Sequence, residues 1–300
     1  MYLETMLDDY LLELKLRNCS QRTIKTVKNN NTLFFNWLKT EAGIVDIENV
    51  RKTHIKGYLR YKQEMGLKPT YINGILKNIR MFFNYLIREE YLEVNPVASV
   101  RFQKEEKVII KSFSAEEVGR MIKVYGNDTF LEARNCCIIV MLFDTGIRNF
   151  ELCNIRMEDI RNNSILIHGK GNKQRMVPIS PYLRKCMHKY EMKRMKYTKE
   201  RYQDEFYFFS QKGKKLTIET IERIVRTCGK KAEVNKDIRC SPHTCRHTFA
   251  QLNIKNGLDI YSLSRLLGHE NISITKRYLQ SMTDADIIQN AMKTSPLMNL

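Results

Sequence analysis

Residues 266–280, LLGHENISITKRYLQ, set His269 nine positions ahead of Tyr278 across what reads as the junction of two helices. A histidine can move a proton, and a tyrosine oxygen is a nucleophile once it is deprotonated. Taken alone, such a pair is more often a cap and a half-buried ring. Other segments add anion donors. In DTGIRNFEL (144–152), Gly146 reads as the terminator of one helix and Arg148 as the start of the next. A cation there opposes the helix macrodipole unless both serve a shared anion. Arg246 falls in the first turns of a helix opened by Ser241 and Pro242, an N-cap and first-turn signature. Lys170 and Lys173 fall on the turn of HGKGNKQR. With His243 two residues past Ser241, two arginines, two histidines, a turn lysine and a tyrosine make a set suited to a phosphate and a nucleophile.

Competing chemistries find less support. CSPHTCRH (240–247) offers Cys240, His243, Cys245 and His247 as zinc ligands, but structural zinc sites usually draw ligand pairs from separate segments. A helix from Ser241 puts His243, Arg246, His247 and Ala250 on one face and turns Cys245 away. No metal site is therefore expected. The acids Glu151, Glu158, Asp159 and Glu270 do not read as the clustered carboxylates of a metal-dependent nuclease. Neither G-x-x-x-x-G-K-[ST] nor G-x-G-x-x-G occurs, so no nucleotide cofactor is expected. The eight cysteines contain no C-x-x-C pair and read as free thiols.

The elements that must hold these groups are mostly helices. Apolar residues recurring at three and four predict helices over 3–17, 21–39, 54–65 behind Thr53, and 70–90. Arg22, Lys25 and Lys28 share a face of the second, and Asn73, Lys77 and Arg80 accompany the fourth, which suits contacts to a phosphate backbone. Asn95-Pro96 then ends the helical run, and a charged, weakly patterned stretch follows. The expected domains are 1–105 and 113–300, with a linker at about 99–112 and a tail helix over 283–300. Ser114 and Glu117 form a capping box that restarts the helices. Only 164–180 breaks the pattern, with two alternating β-prone runs flanking Gly169–Asn172 as a hairpin. The fold class is mainly α with one small antiparallel hairpin.

Composition narrows the partners. The 300 residues carry 51 Lys and Arg against 33 Asp and Glu, a net charge of +18, which favours a polyanion and above all nucleic acid. The longest apolar run, CCIIVMLF (136–143), is too short to span a bilayer, and the acidic N-terminus lacks the basic region of a secretory signal. No membrane partner and a cytoplasmic location are expected.

TGIRNFEL, HGKGNKQRMVP, HTCRH and LLGHENISITKRY, in this order and spacing, resemble the tyrosine recombinase (phage integrase) family, and the length is similar to that of its compact Xer-type members. The resemblance implies a four-helix, SAM-like core-binding domain and an α-rich catalytic domain that together clamp DNA. It implies catalytic roles for Arg148, Lys170, His243, Arg246, His269 and Tyr278, with Tyr278 as nucleophile and Lys173 the second choice for the hairpin lysine. Lys173 and Arg175 join the expected DNA contacts. Departures are small: Cys245 stands where a leucine is commoner, and Asn149-Phe150 fill variable positions.

The implied reaction is site-specific recombination through a covalent 3′-phosphotyrosyl intermediate and a Holliday junction, without ATP or metal. Its phosphorane carries roughly two negative charges, which two arginine forks can hold. Which histidine handles the tyrosine proton stays open. Strand exchange implies four protomers on DNA, a homo-tetramer or a paired hetero-tetramer, with Ile287, Ile288, Ala291 and Met292 in the tail as a docking stripe. A type IB topoisomerase-like relaxation activity and a non-catalytic DNA-binding regulator are the alternatives. Chromosome dimer resolution and mobile-element integration are equally compatible with the chain.

Overall fold

The computed structural model describes residues 2–106, 111–169, 173–198, 205–276, 278–279, 282–293 and 295–298. The chain divides into two compact units, Met1–Val108 and Ile109–Leu300.

The first unit holds α1 (Leu3–Leu16), α2 (Gln21–Ala42), α3 (Lys52–Glu64) and α4 (Pro69–Arg88). Ser20 caps α2 by accepting from the Thr23 N–H, and Gly43, at φ 64°, ends it. The helix thus runs past residue 39, to the first residue that takes a left-handed conformation at little cost. α3 starts earlier than Thr53 suggests, because Arg51 is the N-cap and its N–H donates to His54 Nδ1 at 3.0 Å. The apolar faces of the four helices close over Phe34, Leu38, Tyr58, Ile79, Phe82 and Leu86. Val97 and Val100 are buried in the same core, so the chain after Asn95-Pro96 still packs on this unit.

That packing decides two of the expected DNA contacts. Asn73 is buried; its Nδ2 donates to the Gln103 carbonyl (2.9 Å) and Glu105 Oε1 (2.6 Å), and its Oδ1 accepts from the Gln103 N–H (2.8 Å). Its amide ties down the segment that leaves α4. Arg80 is half-buried, stacks on Phe102 at 4.4 Å and donates to the Val100 carbonyl. Arg22, Lys25, Lys28 and Lys77 are exposed.

The second unit is built on α6 (Phe130–Thr145), buried nearly all round and packed by α8 (Pro181–Thr198) and α10 (Pro242–Lys255). α5 (Ala115–Met121), α7 (Asn149–Asn154) and α9 (Ile218–Lys231) surround it. Both halves of the Ser114–Glu117 capping box are present at α5. β1 (Ser164–His168) pairs antiparallel with β2 (Gln174–Pro178), Ile165 opposite Val177 and Ile167 opposite Arg175, and the three apolar members of those pairs are buried. The remaining helices are α11 (Ile260–Leu267), α12 (Ser273–Lys276) and α13 (Asp284–Lys293), the last shorter than the 283–300 expected and with no buried residue. No helix of the described residues is long and apolar enough to cross a membrane.

Candidate active site

α6 ends at Gly146, whose φ of 60° turns the chain back beneath Phe249. A Cβ on Gly146 would sit 2.3 Å from Phe249 Cδ1, so the approach needs glycine. Two residues on, Arg148 is the N-cap of α7 and breaks the preference for a small polar cap. Glu151 makes that possible. Its Oε2 accepts from the Arg148 N–H (2.8 Å) and its Oε1 from Arg148 Nη1 (2.9 Å). Glu151 is only 4% exposed and is also held by Arg175, whose Nη1 and Nη2 donate to Oε1 (2.8 Å) and Oε2 (2.7 Å). Burial pushes the Glu151 carboxyl up, but the Arg175 and Arg148 bonds outweigh it and hold the group below its ordinary value.

Arg246 approaches from α10, which Ser241 caps by accepting from the Thr244 N–H and which has Pro242 in its first turn. It is buried; Nη1 donates to the Gly146 carbonyl and Nη2 to that of Leu267, both at 2.7 Å. Three successive carbonyls at the end of α11 thus each receive an arginine: Leu266 takes Arg175 Nε (2.7 Å), Leu267 takes Arg246, and Gly268 takes Arg148 Nη2 (3.1 Å). The last carbonyls of a helix lack intrahelical donors and carry its partial negative charge, so they are natural acceptors for guanidinium groups. Gly268, at φ 64°, then swings the chain toward His269. Burial and the neighbouring Arg148 push Arg246 down to about 9, against the pull of Glu151. A cation so placed is stabilised by any added anion.

His269 Nε2 lies 2.9 Å from Arg246 Nη2, and its Nδ1 lies 2.8 Å from Thr275 Oγ1 on α12. Tyr278 follows α12 in a 3-10 turn and is 3% exposed, clustered with Phe249, Leu263 and Leu267. Its ring meets that of His247 at 5.3 Å between centroids. His247 is buried, and its Nε2 lies 2.8 Å from Nε2 of the exposed His243. One of these rings supplies the bridging proton and the other accepts it.

The structure therefore draws Arg148, Arg246 and His269 together at the end of α11, and joins His243 to Tyr278 through His247. Lys170 lies outside the described residues. Lys173 pairs with Glu270 at 2.6 Å. Arg175, expected on DNA, has a side chain only 12% exposed and bonds to Glu151 and Leu266. Glu151 itself stands at the third helical position behind Arg148, where a capping-box rule finds it. Buried Asp159 was likewise passed over; it accepts from the Arg156 N–H and binds His168 Nε2 at 2.8 Å at the base of the hairpin. Among the described residues no group of three or more potential metal ligands clusters. In the first unit, Lys52, Lys56, Arg60, Arg80 and Arg101 line an open groove, so α3 adds three basic residues to the faces of α2 and α4.

Comparisons with known proteins identify the family and the fold. Residues 111–284 match the model of the phage integrase family, and residues 7–90 match the phage integrase N-terminal SAM-like domain. The tyrosine recombinase XerC of Oceanobacillus iheyensis is 30% identical, covering 99% of this chain and 98% of its own. The tyrosine recombinase XerD of Listeria innocua is 27% identical, covering 91% and 93%. The fold is similar to that of XerH bound to palindromic difH substrate in a post-cleavage complex, at a TM-score of 0.74 and 20% identity over 99% of this chain and 84% of that one. It is also similar to a lambda integrase dimer bound to a COC′ core site, at a TM-score of 0.70 and 20% identity over 91% and 97%. With a family match over most of the second unit and a relative aligned along nearly its whole length, the chain belongs to the phage integrase family of tyrosine recombinases.

Proposed function

We propose that Tyr278 is the nucleophile with which this site-specific recombinase breaks and rejoins DNA. The Tyr278 oxygen bonds to the scissile phosphorus, the bond from phosphorus to the 5′ oxygen breaks, and a 3′-phosphotyrosyl ester is left. The tyrosine proton passes to a histidine, and the departing 5′ oxygen takes up a proton. Attack by a 5′-hydroxyl from a partner strand reverses these steps and restores the phosphodiester, so no ATP is consumed. Arg148 and Arg246 hold the non-bridging oxygens, where negative charge grows to roughly two in the transition state. His269 sits beside them with Nε2 able to take up a proton, and Lys170 is assigned the proton for the 5′ oxygen.

The observation that carries this reading is the convergence of Arg148 and Arg246 on the last carbonyls of α11, with His269 2.9 Å from Arg246. A phosphate entering there replaces neutral carbonyl acceptors with anionic ones, which a guanidinium binds more strongly. The burial of Tyr278 in the free chain implies that DNA binding uncovers it. Residues 1–105 and 113–300 are assigned to core-site binding and catalysis. The phosphate backbone runs along Arg22, Lys25, Lys28 and Lys77, and along the groove of Lys52, Lys56 and Arg60.

Recombination requires four protomers on two sites, either four copies or two paired recombinases. α13 is suited to joining them: Ile287, Ile288 and Met292 are exposed, while Asn290 Nδ2 donates to the Ile254 carbonyl at 3.2 Å. Incubating the protein with a nicked suicide substrate of its site, without divalent metal, tests the proposal. A covalent adduct that Tyr278→Phe abolishes supports it, and an adduct that persists in that variant refutes it. Two-site exchange by the wild type separates recombination from relaxation of a single supercoiled plasmid.

A further inference from the structure

We propose that Arg175 is a positioning residue: it neutralises the buried Glu151 carboxylate, so that the charge of Arg148 is delivered to the DNA phosphate rather than spent inside the protein. This rests on the reading of Arg148 as a phosphate ligand.

Glu151 receives four donors, two from each arginine. The Arg175 contact is the bidentate fork-to-carboxylate arrangement, the stronger geometry for such a pair. The two arginines also differ in access, since the Arg175 side chain is 12% exposed and that of Arg148 is 42% exposed. One cation is thus enclosed with the carboxylate and the other looks outward. Arg148, Glu151 and Arg175 together carry one net positive charge, presented by Arg148. Without Arg175, Glu151 and Arg148 would form a neutral pair, and an incoming phosphate would compete with a buried carboxylate for the same guanidinium.

The tie is also mechanical. Arg175 lies on β2, opposite Ile167 of β1, and its Nε donates to the Leu266 carbonyl at the end of α11. A single side chain therefore links the hairpin, the first turn of α7 and the segment that leads into His269. The approach is close: a Cβ on Gly268 would meet Arg175 Cδ and Nη1 at 3.0 Å.

The test uses the full-length chain and reads three quantities: covalent cleavage of a suicide substrate, non-covalent binding of the intact site, and thermal melting. Arg175→Met is expected to slow cleavage by about a hundredfold, as a misplaced reacting group does, while binding stays within a few-fold. Adding Glu151→Gln to Arg175→Met removes the stranded charge and is expected to recover about tenfold of that rate, the equivalent of 1.4 kcal/mol. A merely structural ion pair predicts no such recovery, so a double variant no faster than Arg175→Met overturns the proposal, as does an Arg175→Met protein that cleaves like the wild type. If Arg175→Met does not fold, Arg175→Lys decides. A folded lysine variant that cleaves within about tenfold of wild type supports the charge role, and one that binds DNA but cleaves a hundredfold more slowly overturns it. Arg148→Ala is run alongside; wild-type cleavage by that variant removes the underlying reading of Arg148 and is distinct from either outcome at Arg175.

Discussion

Arg246 Nη2 lies 2.9 Å from His269 Nε2, and this single contact fixes the state of the histidine. A guanidinium has donors only, so Nε2 must accept, and the ring proton belongs on Nδ1, where it is donated to Thr275 Oγ1 at 2.8 Å. The buried threonine is thus the acceptor that completes this tautomer's hydrogen bonding. Thr275→Val keeps the side-chain volume and removes the acceptor. The expected result is a single-turnover cleavage rate lowered by about tenfold, the value of one hydrogen bond, with site binding unchanged.

Gly146 is the hinge on which both arginines depend, since it precedes Arg148 by two residues and its carbonyl accepts from Arg246. Alanine there meets Phe249 Cδ1 at 2.3 Å and must hold a φ of 60°. The left-handed strain and the overpacking together cost about 2–4 kcal/mol. Gly146→Ala is expected to lower the melting temperature of the second unit by about 5–10 °C, with calorimetry as the check.

The Glu151 carboxyl titrates below its ordinary value of 4.5 in the folded chain, because Arg175 and Arg148 favour its charged form more than burial opposes it. A group depressed on folding contributes stability that is fully present above its unfolded value and is lost as the pH falls through the folded one. Urea unfolding should therefore show a stability difference between wild type and Glu151→Gln that is constant from pH 7 to about 5 and shrinks below the ordinary glutamate value. A difference that does not change down to pH 3 contradicts the ionised state of Glu151.

Deleting residues 284–300 removes α13, whose apolar side chains Ile287, Ile288 and Met292 are exposed. Such a stripe suits a docking surface more than a core element. Single-site binding by the truncated chain is expected within a few-fold of wild type by gel shift, with two-site synapsis strongly reduced. Normal recombination by the truncated chain contradicts the docking role.

Much of this site was legible because its markers are local. Gly146, Gly268 and Ser241-Pro242 announce helix ends through backbone chemistry that a sequence carries openly, and the structure places a terminator or cap at each. Glu151 follows a local rule too, since its spacing from Arg148, and not any clustering with other acids, gives its role. Asn73 and Arg175 have internal partners that the sequence does not announce. Residue type alone does not distinguish a side chain that meets phosphate from one that meets a carbonyl or a buried carboxylate, and only the exit strand at Gln103 and the register of β2 decide it. His168 and Asp159 meet through the hairpin fold, and His243 reaches Tyr278 through His247 because one turn of α10 aligns the two rings.

The central claim is that the Tyr278 oxygen becomes bonded to DNA, and the attachment site can be read directly. Trypsin cutting after Arg277 and Lys293 releases residues 278–293 with Tyr278 at the amino end. After nuclease trimming of a trapped adduct, tandem mass spectrometry should find a nucleotide mass on Tyr278 of that peptide. A nucleotide on any other residue, or on none, contradicts the assignment.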